Sequence, residues 1–188
     1  MLKKYKDHVE ERLQQGIPPL PLNAEQVADL VELLKSPPAG EEEFILDLIK
    51  NRTPAGVDPA AYVKAAFLTA LAKGETSSPL IDKKLATELL GTMLGGYNVE
   101  SLIKLLKDEE VGAIAADGLS KTLLMFNAKH EVIELAAENE NAKRVVESWS
   151  NGEWFTSKSK LPEVIKAIVF RVDAVSYTHL RAHETYDH

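Results

Sequence analysis

Apolar residues recur at helical spacing along almost the whole chain up to about residue 150. Val27, Leu30, Val31 and Leu34 form one stripe, Phe44, Ile45, Leu48 and Ile49 a second, and Val63, Ala66, Phe67, Ala70 and Leu71 a third. Leu85, Leu89, Leu90 and Met93 follow, then Leu102, Ile103, Leu105 and Leu106, then Leu119, Leu123, Leu124 and Phe126. Residues three and four apart share one face of a helix, so each stripe predicts a short amphipathic helix.

Capping chemistry marks where these helices start. Asn23 with Gln26 three residues on reads as a capping box, the amide oxygen accepting an orphan N–H while Gln26 reaches back. Asp58 before Pro59 places a capping carboxylate ahead of a proline at the first helical position, where the missing N–H costs nothing. Asp82 and Asn98 are further expected N-caps. Breaks fall at Gly16 to Pro21, Ser36 to Gly40, Thr53 to Gly56, Ser77 to Pro79 and Gly95-Gly96. The starts at Asn23, Asp58, Asn98 and Asn139 are 35, 40 and 41 residues apart, which resembles the helix-pair repeat of HEAT or armadillo proteins at about 40 residues per unit. An irregular helical bundle without a true repeat is the alternative.

The pattern changes after residue 150. Trp149, Trp154 and Phe155 cluster where the helices end, and Ile165 to Val172 reads as a strand with Ile168, Phe170 and Val172 on one face. A lone strand has no sheet to join, so it is expected to open a following domain that the chain lacks. The expected organisation is a helical domain over 1–160, the first strand of a truncated next domain over 161–173, and a tail over 174–188. Val175 to Thr185 resembles translated read-through of a sequencing-library adapter, so the tail is expected to be non-native. His179 and His183, at i and i+4, offer two imidazoles to one metal but lack a third ligand.

Composition narrows the chemistry. The 188 residues hold 22 Lys+Arg against 29 Asp+Glu, a net charge of -7, which opposes nucleic-acid binding through a broad basic face. There is no cysteine, which removes disulfides, zinc–thiolate sites, a cysteine nucleophile and an iron–sulfur cluster held by this chain's own thiolates. The start, Met1-Leu2-Lys3-Lys4-Tyr5, has no apolar core behind it to read as a signal peptide. No apolar run approaches the roughly 20 residues a membrane span needs; Lys64 and Lys73 flank the run from Ala65 to Ala72. The expectation is a cytoplasmic protein.

The remaining constellations read as structural. Gly91 to Gly96 follows a helix rather than a strand and lacks the Lys-Ser/Thr of a phosphate loop, so a helix end and turn is expected. Pro18 to Pro21 has PxxP spacing but serves as a stiff connector. Glu41, Glu42 and Glu43 suit the positive end of a helix dipole. Ser120-Lys121-Thr122 and His130 lack partners for a triad, and His130 reads as an exposed helix residue. No catalytic, cofactor-binding or metal-ligating residue is assigned. Trp149, Trp154 and Phe155 are the expected interdomain or partner contact.

Several of these stretches together resemble one family. Gly16 to Leu22, Pro37 to Phe44, Ala60 to Ala65, Leu89 to Asn98, Leu119 to Phe126 and Glu153 to Phe155 closely resemble the N-terminal region of bacterial aconitase B. The likeness runs from about Met1 to Val172. It implies an all-α fold, a HEAT-like antiparallel helix-pair array wound as a right-handed α-α superhelix, with the strand from Ile165 opening a swivelling domain. It also implies that the parent is a cytoplasmic aconitate hydratase, a tricarboxylic acid cycle lyase interconverting citrate and isocitrate through cis-aconitate and, in many members, hydrating 2-methyl-cis-aconitate. The family's four-iron four-sulfur cluster has its ligands downstream, so none is carried onto this chain, and the segment alone is expected to be inactive. The implied partners are the rest of the enzyme chain and a second copy through the helical domain, with no membrane. The family also binds mRNA in its cluster-free form, for which the charge of this segment gives no support. The alternative is a free-standing HEAT-like adaptor with no enzymatic role.

Overall fold

The structure is a computed structural model that describes residues 1–122, 125 and 128–156. Among them it contains ten helices and no strand: α1 (Leu2–Gln14), α2 (Ala24–Lys35), α3 (Glu42–Asn51), α4 (Pro59–Ala72), α5 (Lys83–Gly91), α6 (Val99–Leu105), α7 (Gly112–Lys121), α8 (Ala128–Leu135), α9 (Glu140–Ser150) and α10 (Glu153–Thr156). The described chain is all-helical. The strand expected over Ile165 to Val172, the tail with His179 and His183, and the apolar positions Leu123, Leu124 and Phe126 lie outside the described residues. Met1–Leu20 falls outside the compact unit formed by Pro21–Lys160.

In the first segment, α1 ends in a Schellman turn. Gly16 adopts φ +69°, the Ile17 N–H donates to the Arg12 carbonyl, and the Gly16 N–H donates to that of Leu13. The chain thus doubles back, and Pro18 to Leu20 lies along α1.

Within Pro21–Lys160 the capping residues act largely as their spacing predicts. The Asn23 oxygen accepts the Gln26 N–H at 2.9 Å and Gln26 Oε1 accepts the Asn23 N–H at 3.0 Å, a complete capping box. Asp58 accepts the Ala60 N–H at 2.8 Å, Asp82 that of Leu85 at 2.7 Å, and Asn139 that of Ala142 at 2.9 Å. Asn98 is the correction. It sits in helical geometry, makes no cap, and is fully buried, with Nδ2 donating to the Leu90 carbonyl at 2.7 Å. Burial overrides local capping here, because an interior carbonyl at the end of α5 needs a donor that no water supplies.

Helix α4 packs on α2 and α5; α5 packs on α7, and α7 on α9. Helix α6 touches α7 and α8, α8 touches α9, and α10 lies on α9 and α7. The core stripe of α2 is as expected, with Val27, Leu30 and Leu34 buried. That of α4 is only partly so: Phe67 and Leu71 are buried as expected, but the helix is flanked by α2 and α5, so it also buries Ala61, Lys64, Ala65 and Leu68 and leaves Ala66 exposed. Lys64, which looked like a polar flank, is only 3% exposed, and desolvation lowers its ammonium from 10.5 to about 8.

The close approach of α5 and α7 has a specific cause. A Cβ on Gly118 would lie 2.8 Å from the Gly91 Cα, and one on Gly91 would lie 3.0 Å from the Gly118 Cα. Both atoms are backbone, so neither can yield by a rotamer change.

Replacing Gly118 by Ala is therefore expected to destabilise the fold by about 1–3 kcal/mol in urea unfolding, despite alanine's better helix propensity. A separate expectation concerns Lys64. Between pH 8 and 10.5 the unfolded chain binds a proton that the folded chain has released, so stability rises with pH through that window. Relative to Lys64→Met, the native chain should gain on the order of 3 kcal/mol across it, and the Met variant should be the more stable at pH 7.

Candidate interaction surface

Helices α7, α9 and α10 position the two tryptophans. Helix α9 carries apolar residues at Ala142 and Val145 on its buried face, which seats it on α7. Arg144 reinforces this: Nη2 donates to the Ala113 carbonyl at 2.6 Å and to Asp117 Oδ1 at 2.7 Å. At the far end of α9, Trp149 is half-buried and its Nε1–H donates to the Leu119 carbonyl at 3.1 Å. Gly152 then turns the chain at φ +63°, and α10 presents Trp154 with 46% of its surface exposed.

Trp149 and Trp154 share a cleft of about 160 Å³ with Thr122, Met125 and Lys129. A second cleft, about 190 Å³, lies against the other side of Trp154 and is bounded by Asp117, Lys121 and Arg144. A third, about 480 Å³, runs between α5 and α7 and shares Asp117, Lys121 and Thr122 with these two. Its rim is Leu94, held at φ +66° with 68% exposure and followed by two glycines at positive φ. A non-glycine residue pays in backbone strain to sit there, so the loop holds an apolar side chain out in water. The structure thus places Trp149 and Trp154 on one cleft; the side chain of Phe155 lies outside what is described.

Sequence reasoning missed a further apolar patch. Tyr62 on α4 and Tyr97 before α6 meet edge to face with ring centroids 5.1 Å apart, beside Val57 at 75% exposure. Tight backbone approach builds it: the Gly56 N–H donates to the Met93 carbonyl at 3.2 Å, and a Cβ on Gly96 would lie 3.0 Å from the Gly56 oxygen. The only sequence signal was the glycine pair beside two separated tyrosines, which no periodicity links.

The hydroxyls of Ser120 and Thr122 bond locally. Ser120 Oγ donates to the Ala116 carbonyl at 2.8 Å and Thr122 Oγ1 to that of Gly118 at 2.9 Å, bonds within α7 and its end. His130 is exposed on α8. Glu42 and Glu43 occupy the first turn of α3. Lys83 donates to Asp108 at 2.8 Å, which raises the lysine and lowers the carboxyl, a half-buried ion pair between helix ends. Among the described residues no three His, Asp or Glu side chains converge as metal ligands, and no helix is long and apolar enough to cross a membrane.

Layered helices with clefts along their outer edges define an all-α packing domain. Its family is shown directly: residues 4–155 match the aconitate B N-terminal domain, and the chain belongs to that family. It is 59% identical to aconitate hydratase B of Pseudomonas aeruginosa, 56% to that of Salmonella typhimurium and 55% to that of Escherichia coli, each over 179 residues and 95% of the chain. The chain spans about a fifth (21%) of the length of these relatives.

Leu119 O also accepts the Thr122 N–H, so Trp149 supplies it with a second hydrogen bond rather than its first. Trp149→Phe is expected to cost about 1 kcal/mol in denaturant unfolding, while Trp154→Phe stays within about 0.5 kcal/mol.

Proposed function

We propose that this chain is the N-terminal interaction and scaffold domain of an aconitate hydratase B, an enzyme that interconverts citrate and isocitrate through cis-aconitate in the cytoplasm. The observation that carries the reading is the continuous face from Leu94 to Trp154, where apolar groups stand exposed around three joined clefts. Exposed, preformed apolar surface of this kind serves contact with another protein surface. In this reading the tryptophans meet the rest of the enzyme chain, a second copy docks through the helical domain, and the packed surfaces shape substrate access. Residues 1–160 form the helical domain, 161–173 open the next domain, and 174–188 are a non-native tail.

The helix contacts support a HEAT-like arrangement. Helices α5, α7 and α9 pack in sequence, and α6 packs on α8 beside them, as stacked helix pairs would. An iron–sulfur cluster does not fit this chain's own residues, because a chain without cysteine has no thiolate to offer it. Any cluster chemistry of the parent belongs to another part of its chain.

The 188-residue chain, treated with iron and sulfide, is expected to leave isocitrate unconverted. In an intact relative, Trp154→Asp is expected to lower kcat/KM severalfold or to shift the oligomeric state in ultracentrifugation. Turnover by the short chain would overturn the reading, as would a Trp154→Asp enzyme unchanged in both respects.

A further inference from the structure

Three side chains on one face of α1, spaced i, i+3 and i+7, hold the backbone of the returning proline segment. The Tyr5 hydroxyl donates to the Leu20 carbonyl at 2.8 Å, and Arg12 Nε donates to the Pro18 carbonyl at 2.9 Å. Between them the Leu20 N–H donates to His8 Nε2 at 3.0 Å. The first two bonds persist across the physiological pH range, since a phenol and a guanidinium keep their protons there. The third does not. It requires an imidazole with a bare Nε2, hence a neutral ring protonated on Nδ1, and imidazole is the side chain that changes charge between about pH 5 and 8.

We propose that His8 is a proton-operated latch on the Pro18–Leu20 strap. Protonation would set an Nε2–H against the Leu20 N–H, two donors facing each other with no acceptor between, so the Pro19–Leu20 peptide must turn away while Tyr5 still holds the Leu20 carbonyl. Arg12 keeps the Pro18 end in place, so the opening is local. Among the described residues of this segment, the strap from Ile17 to Leu20 brings no ionisable group to the latch. The ionisable groups nearby are on α1 itself: Tyr5, whose ring centroid lies 5.9 Å from that of His8, and Lys4, Glu11 and Arg12 about one turn away. The connector leading to the Asn23 cap of α2 is thereby made responsive to acid.

Hydrogen exchange of the Leu20 amide, followed by NMR in the 188-residue chain and corrected for intrinsic rates, tests this. Protection is expected to fall roughly tenfold between pH 8 and pH 5, while the Leu68 amide in α4 stays protected and reports an intact fold. His8→Gln, which offers a carbonyl acceptor at all pH values, should keep Leu20 protected without pH dependence. His8→Phe should leave it unprotected at both. Unchanged protection in the native chain, or the same acid-induced fall in His8→Gln, would overturn the latch.

Discussion

The contact at Gly91 and Gly118 is the constraint on which the Pro21–Lys160 unit depends. With no side chain on either residue, α5 and α7 meet backbone to backbone, closer than any pair of Cβ atoms would allow. Helix α7 then lies where α6, α9 and α10 can also reach it. The Leu119 carbonyl that receives Trp149 and the Asp117 carboxylate that receives Arg144 flank Gly118 on the same helix. The seat of the tryptophans is thus set by the absence of two methyl groups.

Backbone satisfaction is the second organising demand. Short helices leave many terminal carbonyls, and two are answered by asparagines from other elements: Leu90 by Asn98, and Leu106 by Asn139 and Asn141 at 3.2 and 3.0 Å. Asn139 does two jobs, its oxygen capping α9 and its amide serving α6. Such bonds are worth little more than the water contacts they replace, yet leaving a buried carbonyl bare costs more, which ties neighbouring helices to fixed positions. Lys64 shows the opposite case, a lysine carried into the interior because its position on α4 faces the packed helices rather than the exposed side that holds Tyr62 and Ala66.

Membership of the aconitase B N-terminal family gives these features a setting. A domain that is one fifth of its relatives' length, without cysteine, has no thiolate to offer an iron–sulfur cluster. Its exposed apolar groups sit on loops and helix ends, Leu94 and Val57 on turns built from glycine and Trp154 on a helix of a single turn. Those positions can present a side chain without disturbing the stacked helices beneath.

The helical character, several helix starts and the family were legible in the sequence, because period and capping are local properties and a family likeness is a property of order along the chain. Asn23, Asp58, Asp82 and Asn139 cap as their spacing implied, and Trp149 and Trp154 line one cleft. The tertiary structure alone decided the rest. Whether Asn98 capped its own helix or another's end, whether Lys64 or Ala66 faced inward, and whether Tyr62 would meet Tyr97 all turned on which helices became neighbours. That choice is made by packing between residues far apart in sequence, where steric exclusion at two glycines outweighs any local preference.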